Sequence, residues 1–240
     1  MTINGIDVTD FLAAMLATGL LRAVPLVLAA LGDVFAQKAG LLNLGIEGMM
    51  LSGCFFGFYA AYHTESVTYG LLAGMVAGLA MAMLFAFLTV QLRVDQVLVG
   101  LAITIFAAGL TGYLFRDLFG GQNVSAAVRP MTIRIPVLAD IPIIGSALFD
   151  RQGLFYLCWL LVPVAAFVLN RTRFGLNVRA VGENPFAADA AGVNVIRVRF
   201  MAMALAGIMA GFAGAFLAVA DLKIFTIGMT VGQGFIALAI

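Results

Sequence analysis

The sequence predicts an all-α, polytopic integral membrane bundle, and three observations carry that prediction. Charged residues make up 10% of the 240-residue chain and hydrophobic residues 63%, whereas a soluble domain carries about 25% charged residues. The surplus apolar surface has to face lipid, where only helices and closed barrels satisfy every backbone polar group. The apolar runs far exceed a strand's length and do not alternate with period two, which selects helices.

The same composition excludes several functions. A net charge of +1 gives no bulk electrostatic case for nucleic acid. Cys54 and Cys158 lie in separate apolar runs and His63 is the one histidine. That pattern offers no metal-ligand spacing and no Cys/His nucleophile, so neither a metal nor a cofactor is expected. Met1–Asp10 carries Asp7 and Asp10 without a basic region, so no cleavable signal peptide is read there.

Hydropathy places spans near 12–32, 44–62, 69–90, 97–115, 153–169 and 200–220, each close to the roughly 20 residues a bilayer requires. A seventh begins near 224 and is still running at Ile240 with no polar flank. The expectation is six to seven spans in one membrane domain, 1–240, with a broken second span, truncated at its C-terminus. Small residues recur at four-residue spacing at Gly70, Gly74 and Gly78, and at Gly207 and Gly211 beside Ala206 and Ala210. Such stripes let helices approach closely in lipid, and plain packing accounts for them.

Orientation follows from the loop arginines and lysines. The stretch 171–199 holds Arg171, Arg173, Arg179, Arg197 and Arg199. Reading it as cytoplasmic places Lys38 and Arg93 inside and the N-terminus outside. The long exterior loop 116–152 runs against the pattern with Arg116, Arg129, Arg134 and Arg151, although it also holds Asp117, Asp140 and Asp150.

Four stretches carry possible chemistry. Gly40-Leu-Leu-Asn43-Leu-Gly45-Ile-Glu47-Gly48-Met-Met50 leads into the second span, where three glycines within nine residues suit a lipid-facing helix poorly. Glu47 at membrane depth either lines a pathway with Asn43 or sits at the positive end of its own helix, near Lys38. Asp95 and Gln96 either begin the fourth span as a cap or sit at the inner mouth of a pathway, where they could hydrogen-bond a polar solute. Arg22, one turn before Pro25, reads as an ion pair or a contact to carbonyls freed by the proline kink, with snorkelling as the other possibility. In the basic loop, Asn184-Pro185 starts a helix, Phe186 to Ala191 forms it and Gly192 stops it. A helix that short needs something to pack against, either its own bundle or a partner. Alternatively, lipid phosphates hold the whole loop through its arginines.

These stretches resemble ABC importer permeases of the ribose/branched-chain amino acid type, above all the simple-sugar and nucleoside branch. The Gly40–Met50 segment is similar to that branch's Gly-x-x-Asn-x-Gly-x-Glu-Gly-Met-Met pattern. Arg22-Ala-Val-Pro25, Asp95-Gln96-Val-Leu-Val-Gly100, Gly182-Glu183-Asn184-Pro185 and the run from Gly228 to Leu238 also resemble segments of it. The basic loop looks like a coupling region, although Ala188-Asp189-Ala190-Ala191-Gly192 departs from the stricter Glu-Ala-Ala form. The resemblance implies a permease without enzymatic activity, multi-pass in a bacterial inner (cell) membrane and in contact with its lipid. It implies as partners ATP-binding subunits, a second permease chain (homo- or heterodimer) and an extracytoplasmic solute-binding protein.

The residues themselves make Asn43, Glu47, Asp95 and Gln96 the candidates for the solute pathway of such a permease. The ATPase-coupling loop spans 170–199, with Gly182, Glu183, Asn184, Pro185, Ala188, Ala191 and Gly192. The expected solute is a nucleoside or a simple sugar, with a branched-chain amino acid as alternative. No phosphate-binding Gly-x-x-x-x-Gly-Lys-Ser/Thr loop is present. A rival class is an ion-coupled transporter using Glu47 or Asp95. Glu47-Gly48 and Gln233-Gly234 also align as a faint internal repeat.

Overall fold

The computed structural model describes residues 2–3, 6–122, 124–126, 132–134 and 150–240. Arg129 and Asp140 of the long exterior loop lie outside them. Two short antiparallel pairs, β1 (Thr2–Ile3) with β2 (Ile6–Asp7) and β3 (Thr132–Arg134) with β4 (Asp150–Gln152), stand at the margins. Among the described residues the rest is helical apart from the connecting turns, of which 39–45 and 222–232 matter below.

The helices are α1 (Val8–Lys38), α2 (Ile46–Thr64), α3 (Val67–Ala86) and α4 (Gln96–Phe119). They continue with α5 (Gly153–Arg171), α6 (Arg173–Glu183), α7 (Pro185–Ala190), α8 (Val195–Ala215) and α9 (Gln233–Ala239). Their starts follow local chemistry. Asp95 accepts from the Val97 and Leu98 N–H groups, Asn184 from Ala187 and Asn194 from Arg197. Each satisfies backbone donors that a helix N-terminus leaves free.

Both long central helices end in a π-helical turn, Phe87–Gln91 after α3 and Phe216–Asp221 after α8. Each turn closes the same way, with Leu92 N–H on the Phe87 carbonyl and Leu222 N–H on that of Leu217. A basic residue in the left-handed region then follows, Arg93 in one case and Lys223 in the other.

Among the described residues, five helices are long and apolar enough to cross a membrane: α1 from Ala14, α3 and α8 with their π turns, α4 and α5. Helix α2 is the sixth rod of the bundle and lies at its centre. Met49, Met50, Cys54, Phe55 and Phe58 are all buried. Helix α8 runs parallel to α2 and antiparallel to α3 and α1. Gly53 faces Gly211, Gly78 faces Gly207, and Gly32 faces Ala206. The predicted small-residue stripes are therefore one seam. A methyl carbon added at Gly211 would land on the carbonyl oxygen of Gly74, so the backbones touch and gain dispersion contacts that a side chain would prevent.

Two elements differ from the sequence expectation. The break at the second span lies wholly before it, at 39–45, where Gly40 has φ +78° and after which α2 is uninterrupted. The run expected to be a helix from 224 is not one until Gln233: residues 222–226 are bent and extended, with Ile224 bridged to Ser125, and 227–232 form turns, with positive φ at Lys223, Gly228, Val231 and Gly232. The basic loop also contains a further helix, α6, which buries Gly175, Val178 and Val181 at three-residue spacing. Its alternation with arginines hid that stripe.

Candidate functional site

The polar side chains of the bundle converge where α9 meets α2. Glu47, in the first turn of α2, is buried. Its Oε1 accepts from Thr230 Oγ1 (2.6 Å) and the Gly232 N–H (2.8 Å), and its Oε2 from the Gly234 N–H (2.7 Å). The two N–H groups belong to the start of α9, so Glu47 caps a helix 186 residues further along the chain. An ionised carboxylate with three donors, at the positive end of a short helix, is well compensated at a depth where a lone charge is costly. The approach demands glycine: a methyl carbon at Gly234 would lie 2.6 Å from the Glu47 Cα. The two halves of the faint internal repeat, Glu47-Gly48 and Gln233-Gly234, thus meet in space.

Beside this cap lies a second polar group that the sequence reading passed over. Asp33 is fully buried. Gln37 Nε2 donates to Asp33 Oδ2 (2.7 Å) and to the Leu238 carbonyl at the end of α9 (3.2 Å). Asn43, also fully buried, places Nδ2 3.7 Å from Met49 Sδ. Hydropathy ends the first span at 32, one residue short of Asp33. The helix runs to Lys38, and that extension is what puts the acid inside.

Asp95 and Gln96 lie apart from Glu47, at the end of the bundle that carries Lys38, Arg93 and Arg199. Asp95 caps α4, and Gln96 Oε1 accepts from the Leu42 N–H (2.6 Å), which ties α4 to the 39–45 turn. The same end holds a cavity of about 870 Å³ lined by Arg93, Asp95, Gln96, Pro185, Asp189 and Arg199.

The basic loop forms one wall of that cavity. Gly182 packs so tightly that an added carbon would strike the Lys38 carbonyl, and Arg199 Nε donates to the Ala39 carbonyl (3.3 Å). Ala188 is buried under α7, whereas Glu183, Asn184, Ala191 and Gly192 are exposed and Pro185 half-buried. Gly192, at φ +85°, ends the helix with its N–H on the Asp189 carbonyl. Phe186 projects from α7 and is 86% exposed.

At the opposite end, Arg22 Nη1 pairs with Asp221 Oδ2 at 3.0 Å. This is the ion pair expected for Arg22, and its partner closes the π turn after α8. Gln152 Nε2 donates to the neighbouring Ala220 carbonyl (3.1 Å).

Comparison with known proteins adds an independent finding. Residues 15–240 match the model of the branched-chain amino acid transport system / permease component family. The chain is 39% identical over 236 residues to a protein of Haloferax volcanii that bears the name of a glucose ABC transporter permease, covering 96% of this chain and 70% of that one. It is 34% identical over 243 residues to a guanosine ABC transporter permease protein of Bacillus subtilis, covering 97% and 76%. It is 33% identical over 240 residues to a nucleoside ABC transporter permease protein of Lactococcus lactis subsp. cremoris, again covering 97% and 76%. No solved structure matches it.

Proposed function

The chain belongs to the family of branched-chain amino acid transport system permease components, and from that premise we propose that it is the membrane half of an ATP-driven importer for a nucleoside or simple sugar. The observation that carries the solute class is the likeness over almost the whole chain to permeases named for glucose, guanosine and nucleosides. The membrane is a bacterial inner membrane, with the basic end of the bundle in the cytoplasm. A second permease chain completes the pathway, an extracytoplasmic binding protein delivers the solute, and separate subunits hydrolyse ATP.

Helix α7 is the contact for those ATPase subunits. It is too short to stand alone, it presents Phe186 outward, and Gly182 and Ala188 seat it against the bundle. A push on α7 passes through α6 and its Gly182 to the end of α1, and through Ala188, packed in one cluster with Val198 and Ala202, to α8. Replacing Phe186 with Asp removes the outward contact without touching the core. The expected result is loss of substrate-stimulated ATP hydrolysis and uptake with normal assembly of the permease; unchanged coupling contradicts the assignment.

Ion coupling through Glu47 or Asp95 is the less favoured reading. Both carboxylates are occupied by backbone donors of helix starts, so neither is free to take up and release an ion without undoing a cap. Uptake of labelled guanosine, in competition with glucose and with leucine, tests the solute class. Competition by leucine alone contradicts it.

A further inference from the structure

The non-helical stretch before α9 lies within the depth of the membrane. At its upper end Phe225 packs on Phe58 and Phe115, and at its lower end Thr230 bonds Glu47. On α2 the two levels are Phe58 and Glu47. On α4 they are Phe115 and, beside Gly48, Thr104. Either helix gives 11 residues, or about 16 Å of rise. Ile227 lies between those levels, with Cγ2 3.6 Å from a carbon built on Gly112.

This backbone is also exposed. Ile227 and Gly228 are open on one side and Val231 is 83% exposed. Among the described residues nothing lies within 4 Å of a carbon built on Gly228, and the N–H groups of Ile227 and Gly228 have no partner. Lipid cannot accept such a surface, because an unpaired peptide group in hydrocarbon costs several kcal/mol; irregular backbone at this depth survives only where it is buried in protein or lines a water-filled cavity. Next to it α4 presents Gly109, which also has nothing within 4 Å among the described residues, and Tyr113, exposed on the same side. Open glycines and unpaired amides leave room and hydrogen-bonding capacity without filling the space, which suits a passing polar solute better than a packed interface.

We propose that Ile227, Gly228 and Val231, with Gly109 and Tyr113 of α4, form the wall of the aqueous pathway, and that Glu47 holds this wall in place without touching the solute. The free amides and the Tyr113 hydroxyl would exchange hydrogen bonds with the hydroxyls of a sugar or ribose. The inference deepens the importer reading and rests on it for the identity of the solute.

The test uses the assembled transporter in native membranes, with Ile227→Cys, Val231→Cys and Gly109→Cys introduced singly and Leu160→Cys, on an exposed apolar face of α5, as the lipid-side control. Cys54 and Cys158 are buried, so background labelling is low. The probe is the membrane-impermeant anion 2-sulfonatoethyl methanethiosulfonate, which needs a hydrated thiolate. The wall positions are expected to react at least about tenfold faster than Leu160→Cys, to be protected by excess transported solute, and to lose uptake once labelled. Reaction no faster than Leu160→Cys at all three positions, in variants that still transport, overturns the proposal and places the face against lipid or another chain. Rapid labelling in a protein whose uptake is indifferent to ATP supports the wall and removes the importer reading instead.

Discussion

Glu47 is the residue on which the architecture of the site turns. It replaces with one carboxylate the backbone acceptors that the start of α9 lacks. Glu47→Ala strands two amides and a hydroxyl in a buried position, at about 1–3 kcal/mol each. The expected outcome is faster hydrogen exchange across 230–236, with exchange in α8 unchanged, together with loss of uptake. Equal exchange in the two proteins would show that α9 is held by other contacts.

Arg22 and Asp221 allow a second test at this scale. The arginine is half exposed and the acid nearly buried, so the pair is partly screened and its worth lies in sparing Asp221 an unpaired charge. A double-mutant cycle with Arg22→Met and Asp221→Asn should give a thermal-stability coupling of about 1 kcal/mol. Additive effects would mean that the two side chains act separately.

At the scale of elements, the α3–α8 seam is the packing device. Gly211 lies against Gly74 and Gly53, where an added carbon finds backbone atoms that cannot move aside. Gly211→Leu therefore has to separate α8 from α3, at more than the roughly 1–3 kcal/mol of ordinary overpacking. Loss of folded protein on expression, with Gly109→Leu tolerated in the open space beside α4, is the expected contrast.

The seam was legible in the sequence because four-residue spacing of glycine is a local pattern. So were the starts of α4 and α7, which Asp95 and Asn184 set within three residues of themselves, whereas the start of α8 at Asn194 lies ahead of the 200–220 span that hydropathy gives. The break before α9 was not legible. Hydropathy sees an apolar run from 224 onward, whereas the helix cannot start until a distant acceptor, Glu47, is supplied by α2. Residues that meet across some 190 positions leave no spacing to read. Asp33 was missed for a different reason: hydropathy ends the first span at 32, whereas α1 runs on to Lys38 and carries the acid into the bundle.

At the scale of the whole molecule, the two ends of the bundle are built differently. The basic end gathers helix caps, the short α7 and a charged cavity, which is where the proposed function places the ATPase contact. The opposite end is closed by the Arg22–Asp221 pair and an aromatic cluster around Phe225. Between them a discontinuous segment crosses the apolar layer, which a purely structural membrane subunit has no need of. That combination suits a permease whose energy comes from outside the chain.

The most direct test reconstitutes the full transporter, with its ATPase subunits and binding protein, in sealed proteoliposomes and follows labelled nucleoside. The account predicts uptake that requires ATP on the side of Arg93 and α7 and that persists when the proton gradient is collapsed. Uptake by the permease without ATPase subunits, abolished by collapsing that gradient, would contradict it.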